Sequence, residues 1–112
     1  KMQQRLNAYR IMSVICCFYL PVITKKERKI AGEFRKFLKD DGFMMIQFSI
    51  YGRHCPSSEN ANVHIARVKK NIPEKGSVFI MKITDKQFGE CILYTNSKKE
   101  PPPKGWQQLE LF

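Results

Sequence analysis

Apolar positions along the chain fall into blocks whose spacing changes from one block to the next. Ile11 to Tyr19 reads IMSVICCFY, a continuous apolar run rich in β-branched and aromatic residues. Such a run fits a central strand covered on both faces, and Pro21 ends it. Thr24-Lys25-Lys26-Glu27 then has the spacing of a capping box, in which the Thr hydroxyl and the Glu carboxylate satisfy opposite ends of the first turn. Ile30, Phe34, Phe37 and Leu38 follow at helical spacing with Asp41 behind them, and Gly42 stands where a left-handed C-terminal cap belongs. Residues 24–41 are thus predicted as an amphipathic helix.

Phe43 to Tyr51 is strand-like, with Ile46, Phe48 and Ile50 alternating with Gln47, Ser49 and Tyr51. Whether residues 43–55 make one bent strand or a hairpin is open, because no strong turn residue precedes Gly52. Gly52 to Ser58 is polar and reads as a loop. Ser57 or Ser58 can cap a second helix, with Ala61, Ile65, Val68 and Ile72 on its apolar face and Pro73 as its stop. Ser77 to Thr84 reads as a strand, Asp85-Lys86-Gln87 as a turn, and Phe88 to Thr95 as another strand. Pro101-Pro102-Pro103 forms a stiff spacer, and residues 107–112 form a last short strand. Two helices on one face of a mainly antiparallel sheet make an α+β, ferredoxin-like fold. Residues 1–97 form that domain, with a basic extension over 1–10. Residues 98–112 form the spacer and a strand able to pair with another chain.

The 112 residues are enough for one modest core. Charge changes the picture more than size does. Twenty Lys and Arg against ten Asp and Glu give +10, which points to a phosphate polymer as partner rather than to any fold. Seven basic and two acidic residues lie between Lys25 and Lys39, and Lys98 and Lys99 form a second basic group. Lys25, Lys26 and Arg28 sit in the first turn of a helix, where backbone amides and dipole favour phosphate. The absence of an aromatic RNA-binding motif or a major-groove recognition helix implies sequence-independent contact. Cys16, Cys17, Cys55 and Cys91 include no Cys-x-x-Cys pair and read as buried thiols of a cytoplasmic protein. The basic start and apolar run resemble a secretory leader, but no small-x-small cleavage site follows, and ten apolar residues do not span a bilayer.

Carboxylates are scattered, so no metal site and no catalytic residue is apparent. His64 reads as plain surface, His54 as a loop residue and Asp85 as a turn residue. A Cys55/His54 dyad is disfavoured, because strand neighbours point to opposite faces.

The motif order resembles the CRISPR-associated protein two family, the small subunit of the spacer-acquisition complex, in its type II form. The resemblance rests on FYLP (Phe18–Pro21), TKKERK (Thr24–Lys29), FRKFL (Phe34–Leu38), GFMMIQFSIYGRHC (Gly42–Cys55), IPEKGSVFIMKITDKQF (Ile72–Phe88) and QLELF (Gln108–Phe112). It implies a homodimer that bridges dimers of the CRISPR integrase, CRISPR-associated protein one, and carries double-stranded DNA. It implies phosphate contacts at Lys25, Lys26, Arg28, Lys98 and Lys99. It also implies integrase docking by Gln108, Leu109, Glu110, Leu111 and Phe112. Family members usually carry an acidic residue at the end of the first strand, proposed to hold a divalent metal for nuclease activity. Tyr19 stands there, and a neutral phenol cannot replace a carboxylate toward Mg2+. The expectation is therefore a non-catalytic DNA-binding scaffold with no required cofactor. The alternative is a metal-dependent endonuclease using Mg2+.

Overall fold

A computed structural model describes residues 11–100. Its four-stranded sheet has the order β2-β3-β1-β4, with every pair antiparallel. β1 is Met12–Tyr19, α1 Lys25–Asp40, β2 Met44–Gln47, β3 Ile50–Cys55, α2 Ser58–Lys70 and β4 Ser77–Thr84. This βαββαβ order is ferredoxin-like. It is followed by a short helix α3 (Asp85–Gly89) and a separate hairpin of β5 (Leu93–Thr95) and β6 (Lys98–Glu100).

β1 lies between β3 and β4 over most of its length, from Met12 opposite Cys55 and Thr84 to Cys17 opposite Ile50 and Phe79. Its pleat separates two faces. Val14, Cys16 and Phe18 meet Tyr51 and Cys55 of β3 and the buried Ala31, Phe34, Leu38, Ala61 and Val68 of the two helices. The Phe18 ring stands edge-on to Phe34 at 5.1 Å between centroids. Ile15 and Cys17 point to the other face, which among the described residues α3 partly covers through Phe88.

α1 begins as its sequence requires. Thr24 Oγ1 accepts from the Glu27 amide at 3.0 Å, and Glu27 Oε1 accepts from the Thr24 amide at 3.0 Å. It ends at Asp41, with Gly42 at φ +94°. Residues 43–55 form a hairpin. Ser49 supplies its turn at φ +67°, and the Ser49 carbonyl accepts from the Phe18 amide at 3.0 Å. That tertiary bond replaces the glycine a two-residue turn normally needs. Gly52 to Cys55 is strand rather than loop, because it pairs along β1 from Ile15 opposite Gly52 to Met12 opposite Cys55, and Arg53 Nε finds the Asp41 carbonyl at 2.8 Å.

The second helix buries Ala61 and Val68 and packs Ile65 against the core, as its apolar spacing predicts. His64 is buried beside them, and Ile72, past the end of the helix at Lys70, is exposed. Asp85-Lys86-Gln87 starts a helix rather than a turn, since Thr84 and Gln87 complete a second capping box, so Phe88 lies on a helix and not on a strand. Of the strand expected over Phe88–Thr95 only Leu93–Thr95 forms, and β6 pairs back onto it. Asn96 and Ser97 make that turn at φ +54° and +64°, the twist a tight hairpin prefers. The segment Gln108–Phe112 expected to dock the integrase, the Pro spacer and the extension 1–10 lie outside the described residues. Among the described residues no helix is long and apolar enough to cross a membrane.

Candidate nucleic-acid interface

Lys25, Lys26 and Arg28 are exposed in the first turn of α1, just beyond the end of β1. Among the described residues, neither Lys25 nor Lys26 has an acidic partner within 4 Å. Arg28 is engaged locally. Its Nη1 donates to the carbonyls of Ile23 at 2.8 Å and Val22 at 3.2 Å. The helix start is not an empty anion seat either, because the Glu27 carboxylate accepts from the amides of Ile23 and Thr24. Those bonds, the one from Thr24 foremost, hold the Glu27 carboxyl below the ordinary glutamate range, with Lys75 at 3.9 Å adding to them. Positive potential here therefore comes from side chains more than from free amides. A cavity of about 170 Å³ opens beneath them, floored by Leu20, Pro21, Ile30 and Pro73 and rimmed by Lys26 and Lys75.

Lys98 and Lys99 are exposed on β6, across from Thr95 and Tyr94. Successive strand residues face opposite ways, so the hairpin carries one lysine on each side. Its base lines a cavity with Ile46, Gln47, Phe88 and Ile92 at the β2 edge of the sheet. The structure therefore places the two basic groups at separate points, one at the start of α1 and one beside β2.

Tyr19 ends β1 on the face the long helices leave open, 69% exposed and opposite Ser77. Nearby on that face, Phe79 is 62% exposed and Met81 is also solvent-facing. A divalent cation does not fit this position. Tyr19 offers a phenol in place of a carboxylate, and among the described residues no three His, Cys, Asp or Glu side chains gather at any site that could hold a metal. The cysteines are poor ligands as well. Burial, reinforced by Cys17 beside it, pushes the Cys16 thiol up to about 12. Burial also raises Cys17, and raises Cys55 against the pull of Arg53. Cys91 is exposed, contrary to the expectation of four buried thiols.

Two polar clusters escape a reading by apolar periodicity. Asp41, nearly buried at the end of α1, accepts from His64 Nδ1 at 2.7 Å and Arg67 Nη1 at 2.9 Å, which explains why a histidine can face inward on α2. The pairing Asp41–His64 joins a C-cap to a histidine seven residues along the next helix, and no local spacing announces it. On the open face, His54 Nδ1 lies 3.0 Å from the buried Asp85 and 3.4 Å from Ser13 Oγ. His54 and Asp85 are therefore neither loop nor turn residues. Ser, His and Asp meet here without forming a hydrolytic triad. Both partners sit on the same ring nitrogen, whereas proton relay needs one on each, and Ser13 is fully buried.

A ferredoxin-like sheet, with an exposed basic first turn on the helix that follows β1, defines a small α+β protein of strongly positive charge. The family model described as CRISPR associated protein Cas2 matches residues 12–91. A protein of Flavobacterium psychrophilum named "CRISPR-associated endoribonuclease Cas2" is 55% identical over 108 residues, covering 96% of this chain and 94% of its own. One of Parvibaculum lavamentivorans with the same name is 46% identical, covering 90% of this chain and all of its own. A solved structure titled "Crystal structure of cas2" shares the fold at a TM-score of 0.56 and 20% identity, over 84% of this chain and 95% of its own. The chain belongs to the Cas2 family.

Proposed function

We propose that this protein is a non-catalytic, DNA-binding scaffold of the CRISPR spacer-acquisition complex. It works as a homodimer that bridges integrase dimers, with Gln108–Phe112 as the docking strand. Lys25, Lys26, Lys98 and Lys99 hold the DNA duplex by its phosphates, independently of sequence. The observation that carries this reading is Tyr19. The family's carboxylate position holds a phenol, and among the described residues no cluster of ligands stands there to replace it. Phosphate contact and strand pairing need no carboxylate.

The open sheet face supports the dimer. Its strand positions, including Ile15, Cys17, Tyr19, Ile50, Phe79, Met81 and Ile83, carry no Lys or Arg, although the chain as a whole is at +10. Two copies can meet there without opposing cations, and the exposed aromatic rings are suited to burial in such a contact.

The relatives are named endoribonucleases, and the second reading is a metal-dependent endonuclease. The two readings separate when the protein is mixed with its integrase and a labelled duplex. The scaffold reading expects spacer integration that is lost when the four lysines become glutamate, and co-elution with the integrase that is lost when residues 108–112 are removed. It expects no Mg2+-stimulated cutting by the isolated chain. Robust turnover abolished by Tyr19→Phe would overturn it.

A further inference from the structure

The loop between β1 and α1 is exposed from Val22 to Thr24, yet several of its backbone groups are held. Ile23 is 86% exposed, and Val22 is exposed beside it. Two adjacent residues of the first helical turn grip this stretch from opposite chemical sides. The Glu27 carboxylate takes the amides of Ile23 and Thr24, both at 3.0 Å. The Arg28 guanidinium takes the carbonyls of Ile23 and Val22. Ile23 is thus fixed at both its N–H and its C=O, while Thr24 Oγ1 fixes the Glu27 amide in return. Lys25 and Lys26 lie between the clamped residues and the clamping ones, so loop and helix start move as one body. A surface loop of this length without such bonds would sample many shapes.

We infer that Arg28 is a positioning residue for the duplex contact and not a phosphate ligand. It fixes the backbone from which Lys25 and Lys26 reach out, and its Nη1 is already spent on two carbonyls. The inference rests on the proposed duplex binding for its ligand. Its basis in the molecule is the Arg28 and Glu27 grip alone. A residue that orders its neighbours changes affinity without changing the number of counterions released, whereas a phosphate ligand changes both.

The test measures duplex affinity against salt for the full chain and for Arg28→Ala, Arg28→Gln and Lys25→Ala, together with amide exchange at residues 22–24. Arg28→Ala should weaken binding about fivefold, the scale of ordering one or two side chains, with the log–log salt slope unchanged. It should also speed exchange of the Ile23 and Thr24 amides. Arg28→Gln carries no charge but keeps a donor, and should recover part of both effects. Lys25→Ala should lower the slope by about 0.9. A slope that falls as far for Arg28→Ala as for Lys25→Ala, or a glutamine variant no better than alanine, overturns the positioning role alone. Binding as tight as wild type after Lys25 and Lys26 both become alanine overturns the duplex reading, and the positioning role with it.

Discussion

Replacing Asp41 by asparagine keeps the shape of the side chain and removes one charge from the junction of α1 and α2. The carboxylate is nearly buried and accepts from His64 at 2.7 Å, with both partners under a tenth exposed, and from Arg67 at 2.9 Å, which is about half exposed. A hydrogen bond to a charged group contributes about 1.5–3 kcal/mol. The Arg67 bond counts toward the low end because solvent screens it. Asparagine retains one acceptor, so the expected loss is about 2 kcal/mol, or about 10 °C in Tm for a domain of this size. The loss should depend on pH. Burial raises the Asp41 carboxyl, but the hydrogen bonds from His64 and Arg67 outweigh it and hold the group below the ordinary aspartate range. A depressed folded value means that the unfolded chain binds the proton more readily. The stabilisation is then complete above the unfolded value near ~4 and is lost as pH falls through the folded one. Urea denaturation of wild type and Asp41→Asn, followed by circular dichroism, should show a gap at neutral pH that persists to about pH 5 and closes at lower pH. A gap that stays open into strong acid, or that is absent at neutral pH, would refute the reasoning.

Four further outcomes follow from local geometry. Gly76→Ala should cost about 2–4 kcal/mol in chemical denaturation, because a Cβ there meets the Tyr19 carbonyl oxygen at 2.3 Å from a backbone at φ +96°. Gly42→Ala should cost less, about 1–2 kcal/mol, since its obstacle at 2.9 Å is the side chain of Arg53. Thr24→Ala should lower stability by about 1 kcal/mol through loss of the capping box, read as a shift in the urea midpoint. A thiol reagent at neutral pH should modify Cys91 first and reach Cys16 and Cys55 only after denaturant is added, because those two are buried and raised; fast modification of Cys16 in the native protein would contradict this.

Where short-range rules decide structure, the sequence was a good guide. Thr24 and Glu27 start α1 and Gly42 ends it because caps are local chemistry, and the apolar run of β1 occupies the sheet interior because nothing else can bury it. The Thr84–Gln87 box that starts α3 was equally local, and it lay hidden behind a strand-like reading of Phe88 onward. The remaining departures come from contacts between distant segments. His64 faces inward because Asp41 is there to receive it, and Ser49 turns the chain because Phe18 holds its carbonyl. At the interface, the positions of Lys25, Lys26, Lys98 and Lys99 were legible as charge. The engagement of Arg28 by its own loop was not, since it depends on carbonyl positions that only the folded backbone sets.

The central claim is that this chain grips duplex DNA through a few lysines and needs no metal to do so. Its most direct test is duplex affinity between 50 and 200 mM salt in EDTA, for wild type and for the variant with Lys25, Lys26, Lys98 and Lys99 changed to glutamate. Four lysines at about 0.9 each predict a log–log slope near −3.6 per subunit and about twice that for a dimer, with binding lost in the variant. Wild-type binding that barely responds to salt, that requires Mg2+, or that survives the charge reversal would contradict the account.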